Sequence, residues 1–354
     1  MKRTHIISAL TALACVAATF TSCDKVETGD STINFSVATA AVHLTKTSYG
    51  VDGSGFQYID WAEGDQIRIM CAQSDPTSTD YAVTSAGHEG KADKGKISSD
   101  IPLTWGDGTH TFYAVYPSPA MTDAVCTIDG PAVTGTIPAV QAVSSLTGND
   151  DAKVAKPDMT RQYMVAKATA PEKAESVELY FYPMTTALEF TIKNGFASKS
   201  AMQVSSIQLS SEAYALNGDF AIDIDKEGVN DRKLCTTTAT AAANGTVTIN
   251  FASPVTVEYG KSLNFTFFLN PGNGGATGIN DIRFSISGTN AGNSTNFTRS
   301  AKLEKNGAGV AFQTHKKTRI VGIMIPEQIE WNIENEIVVT PWEEGVIKDI
   351  TLAE

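Results

Sequence analysis

Apolar and polar residues alternate with a period of two in many short segments of this chain. In the segment LEFTIK, Leu188, Phe190 and Ile192 alternate with polar residues, and IRFSIS and TVTINF repeat the pattern. Successive side chains of a strand point to opposite faces of its sheet, so this period predicts strands with one buried face. No segment after residue 23 shows a long amphipathic helical pattern. We therefore expect a chain built mainly of strands.

Tight turns are predicted between these strands. Asn-Gly and Asp-Gly pairs suit the positive φ angles of the primed turns that join antiparallel strands. Their spacing leaves no room for crossover helices, which favours an all-β fold of two tandem antiparallel β-sandwiches. The pairs begin at Asp52, Asp107, Asp129, Asn194, Asn217, Asn244, Asn273 and Asn306.

The segment DWAEGDQIRI allows a sharper prediction about single side chains. Trp61, Ile67 and Ile69 share strand parity, so we expect them on a buried face. Asp65 and Arg68 are then expected to serve the turn and the opposite face.

Two domains are expected from the length of the chain. It has 354 residues, and single cores usually stop growing at about 250–300 residues. The polar stretch 171–176 lies between strand-rich segments, which favours a boundary near residue 175. We therefore predict an N-terminal sandwich over 47–175 and a C-terminal sandwich over 176–354.

The first 22 residues have the pattern of an export signal. Lys2 and Arg3 precede an apolar run from residue 6 to residue 20. This run is shorter than the roughly 20 residues that a membrane-spanning helix needs, but it fits the core of a secretory signal. Residues 1–22 are accordingly predicted to be removed on export.

Cys23 follows the small residues Thr21 and Ser22, and polar sequence begins directly after it. This arrangement resembles a bacterial lipobox, in which the cysteine becomes the lipid-bearing first residue of the mature chain. Cys15 is a second candidate, but an apolar segment follows it. Ordinary signal cleavage, with Cys23 free or paired, is the alternative that remains.

The charge and the motifs of the chain argue against several functions. A formal net charge of −12 disfavours nucleic acid as a partner, because such binding depends on neutralising phosphates. The histidines are scattered, and neither HExxH nor GxSxG occurs. We predict no enzyme activity, no catalytic residue, no cofactor and no metal site.

Three further cysteines leave one question open. Cys71 and Cys126 could form a disulfide in an exported protein, or they could be buried thiols together with Cys235.

The four tryptophans after residue 23 also allow two readings. They could line a glycan-binding face, or they could be core and corner residues of the sandwiches. They are Trp61, Trp105, Trp331 and Trp342.

Several longer segments resemble the fimbrillins, which are the type V pilin lipoproteins of oral and gut Gram-negative bacteria. They occur in one order across most of the chain from about residue 33. The segments are DWAEGDQIRI, THTFYAVYP, ELYFYPMTTALEFTIKN, FTFFLNPG and HKKTRIVGIMIP.

The resemblance implies a transthyretin-like, Greek-key form of the sandwiches and a role as a structural or accessory subunit of surface fimbriae that support adhesion. It implies attachment to the outer membrane through lipid on Cys23, and other pilin subunits as partners, with host proteins or glycans as further candidates. The main alternative is a monomeric surface lipoprotein that binds glycans on an aromatic face.

The resemblance also implies an assembly mechanism. Family members are cut after a basic residue, which removes their first strand, and the next subunit supplies a replacement strand. Here the cut is expected between Lys46 and Thr47, so that segment 23–46 leaves. The alternative is that Lys46 is an ordinary solvated lysine.

Two segments of the sequence suit this mechanism. The lost segment contains INFSV, in which Ile33, Phe35 and Val37 share one face. The C-terminal segment EIVVTPWEEGVIKDITL could be the donated strand, or it could form the last core strands.

Overall fold

The fold is described from a computed structural model of the chain. It describes residues 31–39, 46–51, 57–85, 95–121, 126–171, 173–228, 233–274, 277–305, 308–312, 317–327 and 351–353. Within these ranges, no helix has the length and apolar character needed to cross a bilayer.

Strands dominate the described residues, and only two short helical pieces interrupt them: a 3-10 turn at Met159–Arg161 and an α-helical turn at Ala241–Asn244. The strands are Phe35–Thr39 (β1), Lys46–Val51 (β2), Gln57–Asp60 (β3), Gln66–Met70 (β4), Ser78–Ser85 (β5), Gly95–Ser98 (β6), His110–Tyr116 (β7), Cys126–Asp129 (β8), Ala132–Ile137 (β9), Val140–Gln141 (β10), Val143–Gly148 (β11), Ala152–Pro157 (β12), Met164–Ala170 (β13), Val177–Pro183 (β14), Thr186–Gly195 (β15), Met202–Ser210 (β16), Gly218–Glu227 (β17), Lys233–Thr237 (β18), Thr246–Val257 (β19), Ser262–Leu269 (β20), Arg283–Asn290 (β21), Thr295–Lys305 (β22), Ala308–Gly309 (β23), Lys317–Pro326 (β24) and Thr351–Ala353 (β25).

Seven of these strands close into a barrel. Their order is β1-β14-β13-β7-β4-β5-β6, and β6 pairs with β1 to complete the ring. The all-β prediction is confirmed. Its finer detail differs here, because the sequence predicts an antiparallel sandwich, whereas these strands form one closed sheet in which β1 and β14 are parallel.

The interior of the barrel is filled by alternating side chains. Trp61, Ile67 and Ile69 are at most 2% exposed, as their shared parity predicts. Asp65 closes the preceding turn, where its carboxylate accepts a hydrogen bond of 2.6 Å from the backbone N–H of Ala62. The predictions for this segment are therefore confirmed on its buried face and in its turn.

Arg68 occupies the opposite face of the same strand. Its guanidinium makes two contacts with the carboxylate of Asp80 on β5, at 2.5 and 2.6 Å. Ser118 also donates a short hydrogen bond to this carboxylate. Burial alone raises the pKa of Asp80, but the hydrogen bonds from Arg68 and Ser118 outweigh it and hold the pKa below its usual value.

Two larger sheets enclose a second core. One has the order β10-β19-β16-β21-β22-β23, with β25 also paired to β22, and the other has the order β11-β12-β20-β15-β24. Leu188, Phe190 and Ile192 are fully buried in the cluster between them, as the alternation in LEFTIK predicts. Phe190 stacks on Phe265 with ring centroids 5.3 Å apart. The shared core places these sheets face to face.

A four-stranded sheet, β18-β17-β9-β8, packs on a third cluster that includes side chains of the barrel strands β7 and β13. The polar segment near residue 175 leads into β14, and that strand belongs to the barrel. The division into domains at residue 175 stays a prediction.

Candidate functional site

The first strand is held in the barrel by backbone hydrogen bonding on both sides. All five residues of β1 are in parallel register with β14, from Phe35 opposite Val177 to Thr39 opposite Phe181. On its other side, Ser36 and Val37 pair with β6 in antiparallel register. The strand therefore occupies a slot whose two walls are β14 and β6.

The chain just before β1 is also bonded to the barrel. The N–H of Ile33 donates to the carbonyl of Leu103 at 2.9 Å, and the N–H of Val177 donates to the carbonyl of Asn34 at 2.8 Å. Thr32 forms a single β-bridge with Thr104. The segment that fills the slot thus begins at residue 32.

The buried face of this segment consists of the three predicted side chains. Ile33, Phe35 and Val37 are 1%, 6% and 0% exposed. The expectation that they share a buried face is confirmed. Because each is almost completely removed from water, loss of the segment would leave an apolar slot open to solvent.

The floor of the slot is aromatic and fits Phe35 closely. Its ring meets those of Tyr81 and Phe112 edge to face, each with centroids 5.2 Å apart. The Tyr81 hydroxyl accepts a hydrogen bond of 2.8 Å from the backbone N–H of Leu103. Burial raises the pKa of this tyrosine to about 12, so it stays a neutral part of the floor.

One glycine shapes the wall beside Val37. A Cβ atom added to Gly95 would lie 3.0 Å from a methyl group of Val37. This is tighter than an ordinary contact, so the absence of a side chain at Gly95 lets β6 approach β1.

The predicted cleavage point follows the slot-filling strand in the chain. Lys46 and Thr47 begin β2, which pairs with β3 in a two-stranded sheet of its own. Residues 40–45, between β1 and β2, lie outside the described residues. Cys23, Cys15 and the remainder of the predicted export signal lie outside them as well. The predictions for Cys23, Lys46 and Thr47 therefore stay predictions.

Two of the four tryptophans lie in the core. Trp61 is 2% exposed and packs edge to face against Tyr116 and Phe181, at 5.4 and 5.2 Å between ring centroids. Trp105 is 8% exposed and packs against Phe112. Neither can lie flat against a sugar in this fold.

The other two tryptophans, Trp331 and Trp342, lie outside the described residues. After residue 327 the chain is described only at β25, which pairs with β22.

The described cysteines are free thiols. Cys71 and Cys126 are buried and Cys235 is half-buried. Burial raises the pKa of Cys126 and of Cys235 to about 12, so both thiols are protonated and unreactive at neutral pH. Among the described residues, no group of three or more His, Cys, Asp or Glu side chains could hold a metal ion.

The sequence did not reveal which strands form the walls of the slot. In β14 the buried residues Val177, Leu179 and Phe181 alternate with Glu178, Tyr180 and Tyr182, so the period-2 signal was present. That signal marks a strand and its buried face. It does not identify a partner about 140 residues earlier in the chain.

Crystal structures of several bacterial proteins are similar to this chain at low sequence identity. One, provisionally named as a cell adhesion protein of Bacteroides ovatus, is 13% identical with a TM-score of 0.47, and the match covers 91% of this chain and 96% of that one. A similarly named protein of Bacteroides uniformis is 14% identical with a TM-score of 0.44, covering 86% and 99%. A fimbrial assembly protein of Parabacteroides distasonis is 12% identical with a TM-score of 0.36, covering 91% and 99%.

Among curated proteins, none matches this chain. The family model described as fimbrillin-like matches residues 45–342. This match spans most of the chain, including every strand from β2 to β24. The chain therefore belongs to the fimbrillin-like family.

Proposed function

We propose that this protein is a structural or accessory subunit of cell-surface fimbriae, and that it joins other subunits by strand exchange at the β1 slot. Membership of the fimbrillin-like family supports the fimbrial role. The observation that carries the strand-exchange mechanism is the position of β1, which is the only described strand linking β14 to β6. Adhesion to host proteins or glycans would be a property of the assembled fibre.

The first step is removal of β1. A cut between Lys46 and Thr47 leaves residues 23–46 attached only by noncovalent contacts. The cut would fall at the start of a two-stranded sheet, and such a hairpin is at best marginally stable by itself. Local opening of β2 and β3 would give a protease an extended peptide without disturbing the barrel.

The second step is replacement of β1 by a strand from another subunit. Departure of β1 leaves backbone groups of β14 and β6 unpaired and exposes the aromatic floor around Tyr81 and Phe112. Sheet edges of this kind accept an added strand, with backbone bonds giving affinity and side-chain pockets giving specificity. The replacement strand should carry three apolar residues at alternate positions, in the places of Ile33, Phe35 and Val37.

The same cut would also release the subunit from the membrane. We propose that lipid on Cys23 anchors the exported precursor to the outer membrane. Because Cys23 and β1 both precede Lys46, one cleavage separates the lipid and the first strand from the remainder. Membrane release and competence for assembly would then begin together.

The test is to change the cleavage residue in cells and in purified protein. We expect trypsin to cut after Lys46, which leaves Thr47 as the new N-terminus and allows multimers to form. An Arg-specific protease should neither cut there nor allow multimers to form. Lys46→Gln should block both the trimming and the assembly. N-terminal sequencing and the heat-stable ladder of multimers on denaturing gels are the two measurements.

The matched control is Lys46→Arg, which should be trimmed by both proteases and should assemble. If Lys46→Gln protein still forms fibres on cells, cleavage-gated assembly is wrong for this subunit. An anchor subunit that keeps β1 would then be the better description.

A further inference from the structure

The β1 slot holds its strand by two kinds of contact, and only one of them can distinguish between strands. The backbone pairing with β14 and β6 is open to any extended chain without proline. Selection therefore has to come from the pockets that receive the inward side chains. Because β1 itself occupies the slot, its side chains show which chemistry each pocket fits.

The central pocket fits an aromatic ring. Phe35 is buried there, and its ring contacts the rings of Tyr81 and Phe112 edge to face. An aliphatic side chain at this position would lose both aromatic contacts. The pocket therefore favours an aromatic residue over an aliphatic one.

The next inward position, two residues later, has a tight wall. Val37 is fully buried and lies opposite Gly95 in the antiparallel pair. A Cβ atom on Gly95 would lie 3.0 Å from a methyl group of Val37 and 3.5 Å from a ring carbon of Trp61. Neither side chain moves easily, because valine is stiff about its first side-chain torsion and Trp61 is buried in the core. The wall thus follows the valine side chain closely.

The backbone of Gly95 does not itself require glycine. Its φ angle is not positive, so alanine could adopt the same conformation. The close approach of Val37 is therefore the physical reason that a side chain is excluded at this position.

We propose that the slot selects its incoming strand by an aromatic residue followed, two positions later, by a residue no larger than valine. Tyr81 and Phe112 favour the aromatic residue, and Gly95 limits the size of the second residue. This inference rests on strand exchange at the β1 slot and names the strand that the partner subunit must supply. A subunit whose strand lacks this pair is excluded from the joint.

The same two pockets also fix the register of the incoming strand. Inward side chains recur at every second residue, so a strand could slip by two residues and keep its apolar face inward. A slip in one direction would press the aromatic ring against Gly95, where the site is already filled by valine. A slip in the other direction would leave the aromatic pocket partly empty. One register is therefore favoured over both alternatives.

The first arm of the test measures the contact in the uncut chain, without any exchange. Gly95→Ala should lower the urea midpoint, whereas Lys96→Ala, the matched control at an exposed position of the same strand, should not. Val37→Ala should lower the midpoint of the unaltered chain. In the Gly95→Ala background it should lower the midpoint less or raise it, because the crowded methyl group is gone. Equal shifts in both backgrounds would overturn the proposal.

The second arm measures selection during exchange. The chain is cut with trypsin after Lys46, and a fluorescent peptide with the sequence of residues 31–46 is added to replace the cut segment. Unlabelled variants of the peptide then compete with it. Phe35→Leu should compete roughly 5- to 150-fold more weakly, since it loses two aromatic contacts. Val37→Ala should be about tenfold weaker, since it buries two fewer methyl groups.

The decisive comparison repeats this competition with Gly95→Ala protein. There the Val37→Ala peptide should compete at least as well as the native sequence, which reverses the order seen with the unaltered protein. The same order for both proteins, or equal competition by Phe35→Leu, would overturn the proposal. If no peptide enters either protein, strand exchange at this slot is wrong, and the selection proposed here falls with it even where the first arm shows the Gly95 contact.

Discussion

Phe35→Ala tests directly whether the first strand is part of the folded barrel. The side chain is 6% exposed and meets two aromatic rings edge to face. Truncating a buried phenylalanine to alanine lowers the free energy of unfolding by about 3–5 kcal/mol. We expect a value in the upper part of that range, because two aromatic contacts are lost as well. With an m-value of about 2–3 kcal/mol/M, the urea midpoint should fall by roughly 1 to 2.5 M.

The assay is urea unfolding of the uncut chain followed by tryptophan fluorescence. Trp61 and Trp105 lie in the same core cluster as Phe35, so their emission reports on the barrel. Ser36→Ala is the matched control on the opposite face of β1, and a surface change of this kind usually alters stability by less than about 0.5 kcal/mol. Equal midpoints for Phe35→Ala and Ser36→Ala would refute the placement of β1.

The remaining predictions concern the barrel core, the anchor and acid stability. Trp61→Ala should lower the free energy of unfolding by about 3–5 kcal/mol, measured by denaturant unfolding followed by circular dichroism. Unchanged stability would instead place Trp61 at the surface. Cys23→Ala should abolish labelling by a fatty-acid analogue, while Cys15→Ala should mature normally; labelling that survives Cys23→Ala contradicts lipidation there. The pKa of Asp80 is lowered in the fold, so its stabilising effect is present above about pH 4 and is lost as the pH falls. The urea midpoint of the unaltered chain should therefore fall between pH 5 and pH 3, and it should fall less steeply in Asp80→Asn. Parallel pH profiles of the two proteins would show that Asp80 does not contribute.

The sequence predicted local features well because these depend on neighbouring residues. The alternation in INFSV and LEFTIK identifies which side chains are buried, and the fold confirms Phe35 and Phe190 in two separate cores. Period and parity are properties of a single strand. Burial of one face could thus be predicted without knowing the partner strand.

Pairing between distant strands could not be predicted in this way. Phe35 lies opposite Val177 in a parallel pair, and no turn connects the two strands directly. Turn signals such as Asn-Gly report only antiparallel neighbours. For the same reason, the sequence identified the segment that fills the slot but missed both walls of the slot, and it predicted a sandwich where the strands close into a barrel.

The position of β1 also determines how a joint at this slot would respond to force. Ladder hydrogen bonds cross between strands rather than run along them. A strand seated between β14 and β6 and pulled along its own length is loaded in shear, so several bonds must break together. Forced separation depends on the rate of this collective event. A pull along the seated strand would thus act on the joint in the direction in which the slot resists most.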